Sequence, residues 1–249
     1  MSSMRSLLLA LLLLLSPLGP VACAAPNATS AYGCGSSGVP CLKGTALIEL
    51  NTSKGKVELS LDGSAAPLTA GNFVDLVRRG TYNGTLFHRV VKEPIPFVVQ
   101  GGDPQSANPS TPVDLLGTGS YLDPANGQPR LIPLELFLDG EQSPRYGEIT
   151  VGPGQAARLK LQHQRGALAM ARSNDPNSAS AQFYIALEAL PELDGRYAVF
   201  GRVVQGMDVV DRIQQGDRIV RARVVQGGSL LQAGQPAAAP AAPDAAGRP

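Results

Sequence analysis

Glycine and proline interrupt the chain 28 and 21 times in 249 residues, and each limits how far a regular element can run. That punctuation suits many short strands joined by tight turns better than long packed helices, so a β-rich fold is the expectation. Sparse aromatic residues and the absence of Trp point the same way. The length fits one domain of about 150 to 200 residues with extensions, or two very small domains; we read it as the first. A net charge of +1, with Lys/Arg evenly mixed with Asp/Glu, gives no broad basic surface for a phosphate backbone, so nucleic acid is not an expected partner.

The two ends stand apart from the middle. Arg5 supplies a positive charge ahead of an unbroken apolar run from Leu7 to Leu15, closed by Ser16-Pro17-Leu18-Gly19-Pro20. This is the layout of an export signal, and the run is too short to span a bilayer comfortably. Ala22-Cys23-Ala24 fits small-x-small cleavage after Ala24, giving residues 1–24 as signal peptide and a mature start near Ala25. The competing reading is lipoprotein anchoring through Cys23, against which Pro20 occupies a place where an aliphatic residue is normally wanted. Removing Cys23 leaves Cys34 and Cys41 in the Gly/Ser/Pro-rich segment 25–43. They either close a small disulfide loop, as an oxidising compartment allows, or stay as two free thiols. A loop of that length corresponds to about 2.5 kcal/mol of chain entropy, confined to its own neighbourhood. No His or further Cys lies near enough to finish a tetrahedral site, so metal binding is not expected; no cofactor is expected either. Residues 232–249, almost wholly Ala, Pro, Gly and Gln, read as a disordered tail, leaving residues 44–231 as the folded unit.

Within that unit the apolar period changes along the chain. Thr45 to Leu50 and Lys56 to Leu61 alternate as a β-hairpin around Thr52-Ser53-Lys54-Gly55. From Pro67 to Arg79 the spacing of Thr69, Phe73, Leu76 and Val77 predicts a short helix, with Gly80 as its stop. Leu86 to Val91 and Phe97 to Gln100 read as two strands with a bend at Glu93-Pro94-Ile95-Pro96. Asp103 to Gln142 reads as a long functional loop with one strand inside it, at Leu131 to Leu136. Gly166 to Ala171, Phe183 to Leu187, Ala198 to Val203 and Ile219 to Val225 are further strands, and Met207 to Gln214 a second helix. A closed antiparallel barrel with a helix at each end satisfies this pattern, because closure removes exposed edges.

Three segments put polar side chains inside apolar runs: Phe87-His88-Arg89-Val90-Val91, FVVQGGD at Phe97 to Asp103, and Gln182-Phe183-Tyr184-Ile185. An Arg in a strand is costly to bury, so Arg89 must face water, be paired or line a cleft. With LAMARSNDPNSASAQFYI at Leu168 to Ile185 and LDGRYAVFGRVVQGMDVVDRI at Leu193 to Ile213, these blocks resemble, in order, the signatures of cyclophilins. The resemblance covers about Thr45 to Val225. YLDPANGQPRLIPLE and YGEIT, within Gly119 to Thr150, further resemble cyclophilin domains of cyanobacteria and chloroplast thylakoid lumens.

The resemblance implies a mainly β fold: a closed eight-stranded antiparallel barrel capped by two short helices, with long insertions between Asp103 and Arg165. It implies peptidyl-prolyl cis/trans isomerase activity that assists the folding of exported proteins, in a periplasm or thylakoid lumen, by a monomer acting on proline-containing polypeptides. By motif position Arg89 is the catalytic donor, and Phe97, Val98, Tyr184 and Leu193 line the proline pocket. Gln100 would bond the substrate backbone and hold Arg89; Ala171 and Arg172 would meet the residues preceding proline; Gln182 flanks that subsite; His88 is either structural or rim-lining, and Tyr197 stands at a groove position. His163 receives no role.

The chain also departs from the family pattern. Glu192 stands where many members carry a Trp that contacts cyclosporin, so weak or no cyclosporin binding is expected. Val98 replaces the commoner Met, Tyr184 the commoner Phe and Tyr197 a groove His, and the added hydroxyls could alter substrate preference. Arg172 replaces an Asn, which favours acidic residues near the target proline. These departures and the insertions motivate an alternative reading, a proline-segment binding module or chaperone with little turnover.

Overall fold

The computed structural model describes residues 33–34, 38–150, 152 and 154–234; the expected signal segment and the tail beyond Gly234 lie outside them. Twelve strands and two helices are found among the described residues. In chain order these are β1 (Cys41–Leu42), β2 (Thr45–Thr52), β3 (Gly55–Asp62), α1 (Pro67–Arg78), β4 (Arg89–Val91), β5 (Val98–Gly101), β6 (Glu135–Leu136), β7 (Arg145–Tyr146), β8 (Ala167–Met170), β9 (Phe183–Ala186), β10 (Val199–Gln205), α2 (Met207–Arg212), β11 (Ile219–Gln226) and β12 (Leu231–Gln232). Eight of them form one antiparallel sheet in the order β11-β2-β3-β10-β8-β9-β5-β4. These are the eight strands expected in the main sheet, and the extra strand expected at Leu131 to Leu136 shrinks to β6, which pairs with β7 apart from the sheet.

The expected closed barrel is corrected to a curled, open one, because no ladder joins the outermost strands β4 and β11. The cause lies just before β4. Leu86 and Phe87, expected as strand, and Thr85 just ahead of them lie against the turn before β11 and its first residue instead: Phe87 N–H donates to Asp217 O (2.8 Å), Gly216 N–H to Phe87 O (3.0 Å) and Ile219 N–H to Thr85 O (2.8 Å). Only a single bridge, Leu86 with Arg218, forms at this seam, and β4 is left three residues long.

Helix α1 plugs one end of the curl, and every residue from Leu68 to Val77 is buried. Its Phe73 is the centre of an aromatic cluster, with ring centroids 4.8 Å from Tyr82, 5.3 Å from Phe183 and 5.2 Å from Phe200. The helix is covered on its other faces too. Gly71 is approached so closely by Pro40 and Cys41 that an added Cβ would lie 2.3 Å from the Pro40 carbonyl. At its first turn, Leu68 and Thr69 N–H groups donate to the fully buried carboxylate of Glu135 (3.1 and 2.8 Å), which satisfies orphan donors and faces the positive end of the helix dipole. Val39, Cys41 and Leu42, outside the unit expected from sequence, are buried in the same core. Cys34 and Cys41 are disulfide-bonded, and β1 pairs with β12.

Candidate functional site

Strand alternation gives the sheet two unlike faces. Val99 of β5, Phe183 and Ile185 of β9, and Leu168 and Met170 of β8 point into the main core. Their neighbours Val98, Tyr184, Ala186, Ala167 and Ala169 form a second apolar cluster on the outer face, joined by Val199 and Leu190. Phe97, Ala171, Leu193 and Tyr197 pack against it, half-buried. Strand register then assembles a row on this face: Arg89 lies opposite Gln100, Gln100 opposite Tyr184, and Tyr184 opposite Ala169.

The row borders a cleft of about 220 Å³, lined by Arg89, Phe97, Val98, Gln100, Ala171, Arg172, Tyr184, Leu193 and Tyr197. Nine of the residues singled out from sequence therefore meet in one concavity, although they come from three strands, β4, β5 and β9, and the loops after β4, β8 and β9. A larger groove of about 650 Å³ lies elsewhere, along Ser60 to Asp62 and Leu159 to Arg165, and contains none of them.

Arg89 is exposed at the cleft. Its Nη1 donates to Gln100 Oε1 at 3.4 Å, and its guanidinium carbon stands 5.8 Å from the centroid of the Phe97 ring, within reach of a cation–π attraction. None of the ion pairs among the described residues involves it. Gln100 Nε2 donates in turn to Gln182 Oε1 at 3.4 Å, and Gln182 Nε2 donates to the carbonyls of Gly117 (3.0 Å) and Gly119 (2.8 Å). Gln182 lies beyond the cleft, in an adjoining cavity of about 430 Å³ that shares Gln100, Ala171 and Arg172 with it.

His88 is not part of the cleft lining. Adjacent strand residues face opposite ways, and with Arg89 turned outward the His88 ring turns under the loop at Gly117, where a Cβ would come within 3.1 Å of it. Its ring nitrogens are buried beside Gln182 and the Leu86 carbonyl without meeting strict hydrogen-bond geometry. Burial pushes its pKa down, with Asp103, Leu86 and Gln182 pulling the other way.

Two substitutions look different in three dimensions. The Tyr184 hydroxyl turns away from the cleft to His163 Nε2 (2.9 Å), so Tyr184 offers only its ring. Arg172 lies 4.7 Å from the centroid of the Tyr197 ring and spends its donors on main-chain carbonyls: Nε and Nη2 on Arg196 (3.1 and 2.6 Å), Nη1 on Ser173 and Asn174 (2.8 and 3.3 Å). Sequence reasoning missed the buried pair behind Tyr184, in which Asp194 Oδ1 accepts from His163 Nδ1 at 2.7 Å and from the His163 backbone N–H at 2.8 Å. The only hint was a histidine without another use. Among the described residues no group of three His, Cys, Asp or Glu could hold a metal ion, and no helix is long and apolar enough to cross a membrane.

Comparison with known proteins identifies the family. A Synechocystis sp. protein named as a thylakoid lumen peptidyl-prolyl cis-trans isomerase is 37% identical over 203 residues, covering 78% of this chain and 50% of its own length. The chloroplastic peptidyl-prolyl cis-trans isomerase CYP38 of Arabidopsis thaliana is 36% identical, covering 76% and 44%. The chain thus spans about half the length of these two relatives. A peptidyl-prolyl cis-trans isomerase of Streptomyces antibioticus is 34% identical, covering 67% of this chain and 82% of its own. Among solved structures, cyclophilin AquaCyp293 from Hirschia baltica aligns with a TM-score of 0.52 at 25% identity, covering 74% of this chain and 76% of its own. A cyclophilin-type isomerase from Cryptosporidium parvum, crystallised in the presence of the dipeptide Ala-Pro, shares the fold with a TM-score of 0.53 at 23% identity, covering 72% and 99%. The family model for cyclophilin-type peptidyl-prolyl cis-trans isomerases matches residues 47–235, a stretch that holds every residue of the cleft, and the chain belongs to that family.

Proposed function

We propose that this chain is a peptidyl-prolyl cis/trans isomerase acting as a monomer on proline-containing segments of exported polypeptides. The observation that carries the reading is the position of Arg89, a cation without an anionic partner among the described residues, in one row with Gln100 and Tyr184 beside an apolar cleft. Rotation about the X-Pro bond is slow because amide resonance sets a barrier of about 18–20 kcal/mol. No covalent bond has to break. As the bond twists, the prolyl nitrogen loses conjugation and gains a localised lone pair, so a donor fixed near that nitrogen binds the twisted amide better than either planar form. Arg89 is that donor, steadied by Gln100 and by the face of Phe97. Phe97, Val98, Leu193 and the ring of Tyr184 seat the proline and keep water from the rotating bond.

A thousandfold acceleration requires about 4 kcal/mol, which one charged hydrogen bond in a desolvated cleft largely supplies. In a protease-coupled assay on an X-Pro peptide, Arg89→Ala should lose at least about tenfold in rate, equivalent to about 1.4 kcal/mol. Equal rates for the two proteins would remove the mechanism.

The export signal read at residues 1–24, and two relatives named for the thylakoid lumen and the chloroplast, support an exported or lumenal location. Mass spectrometry of the mature N-terminus discriminates between a free start at Ala25 and a lipidated Cys23.

A further inference from the structure

His163 is one of two histidines in the chain and is 1% exposed. Burying a polar ring is costly unless both nitrogens are satisfied, and here both are. The Asp194 carboxylate can only accept, so Nδ1 carries the proton and donates to it at 2.7 Å. Nε2 is then left with a lone pair, and the Tyr184 hydroxyl at 2.9 Å must be the donor. The His163 and Tyr184 rings lie nearly parallel, 14° apart with centroids separated by 5.9 Å. Asp194 is itself held, because it follows the turn Pro191–Leu193 and also accepts from the His163 backbone N–H.

We propose that Asp194 and His163 are positioning residues for the proline-binding cleft: they hold the Tyr184 hydroxyl away from it, so that the ring forms a fixed apolar wall. The inference rests on the isomerase reading only in taking the cleft as the proline site. Three features support it. Tyr184 is packed edge-on against Tyr197, 5.9 Å between centroids, so the ring is held both at its tip and on its side. The hydroxyl has no other hydrogen-bond partner among the described residues, and losing His163 would leave it buried and unpaired or swing it towards the cleft. Burial keeps His163 below its ordinary pKa, although Asp194 and Glu192 pull upward, which agrees with a neutral ring that accepts at Nε2. The arrangement also explains how the chain accommodates Tyr at a position where the family resemblance implies Phe: the extra oxygen is removed from the substrate's side.

A pair of variants tests this through binding. With an Ala-Ala-Pro-Phe peptide and isothermal titration, His163→Leu should raise Kd about fivefold, the loss expected for one buried hydrogen bond. Adding Tyr184→Phe to it deletes the orphaned hydroxyl and should recover at least half of that loss, which a purely structural role of His163 would not produce. Should His163→Leu fail to fold, the wild-type protein still decides the matter. The His163 Nδ1–H resonance, identified by ¹⁵N-imidazole NMR, should shift when the peptide saturates the cleft. A wild-type Kd in His163→Leu, no recovery in the double variant, or an unmoved imidazole resonance would each overturn the inference. Failure of the isomerase reading is seen elsewhere, in a turnover rate indifferent to Arg89.

Discussion

At Arg172 the carbonyls of Ser173, Asn174 and Arg196 take the donors that a substrate carboxylate would otherwise engage. The positive charge remains, beside the cleft and without a carboxylate partner among the described residues. It can attract an acidic residue through space, but it cannot clamp one with the paired bonds that make Arg–carboxylate recognition strong. At such a solvent-facing site the attraction is about 1 kcal/mol and salt-sensitive. A peptide with Glu two residues before proline should therefore exceed its Gln counterpart in kcat/KM by about two- to fivefold at low salt. The ratio should collapse in about 1 M salt, and Arg172→Asn should abolish it. A ratio that persists in Arg172→Asn would assign the preference to another residue. The sequence displayed Arg172 as a charge but not its commitments, because those depend on how the turn after β8 folds back on the residue before Tyr197.

Among the elements, the loop after β5 shows how one carboxylate organises a wall of the site. Asp103 is fully buried; its oxygens accept from the N–H groups of Gln105 (2.9 Å), Gly117 (2.6 Å) and Gly119 (3.3 Å). Gly119 comes so close that an added Cβ would lie 2.1 Å from the Asp103 carboxylate. Gly117 and Gly119 are also the carbonyls that hold Gln182, so Asp103 reaches Gln100 and Arg89 through a chain of hydrogen bonds. Asp103→Ala would strand several buried donors, at about 1–3 kcal/mol for each group left unpaired. Chemical denaturation should show a loss of at least about 2 kcal/mol, with earlier proteolysis within residues 104–119. Unchanged stability would mean that water replaces the carboxylate.

Elements of this kind were legible only in part. The hairpin β2–β3, the helix α1 and strands β5, β8, β9, β10 and β11 were readable because each carries its own apolar period between Gly or Pro stops. The truncation of β4, the capping of α1 by Glu135, the pairing of β1 with β12 and the His163–Asp194 pair were not. Each depends on residues far apart along the chain, such as Glu135 and Leu68 at a separation of 67. The cleft residues were legible through the ordered family motifs, whereas alternation alone would have separated inner from outer side chains without saying which outer ones converge.

For the molecule as a whole, the pairing of the first long strand with the last helps fasten the sheet. Arg223 of β11 sits opposite Glu49 of β2 and donates to both of its oxygens, at 2.7 and 3.0 Å. The Arg223 hydrogen bonds, with help from Asn51 and Lys56, hold the Glu49 carboxyl down from 4.5 to about 2 against the opposing effect of burial. Between those values the unfolded chain binds the extra proton and the folded one does not. The contribution to stability is therefore complete above the unfolded value and is lost as pH falls towards the folded one. The urea midpoint should decline across that acid window, and Glu49→Gln should flatten the decline; an identical slope in the variant would place the acid-sensitive group elsewhere.

At the opposite end of the bookkeeping of contacts lies the short ladder between Cys41–Leu42 and Leu231–Gln232. It brings the two described ends of the domain together at Gly38 and Gly234, and neither strand contributes a residue to the cleft. The polypeptide thus enters and leaves by a single doorway. A circular permutant that splices this doorway shut and opens a new one at an exposed loop tip such as Pro124 to Gly127 should keep the cleft intact, and partner modules could be hung from either side without passing in front of it.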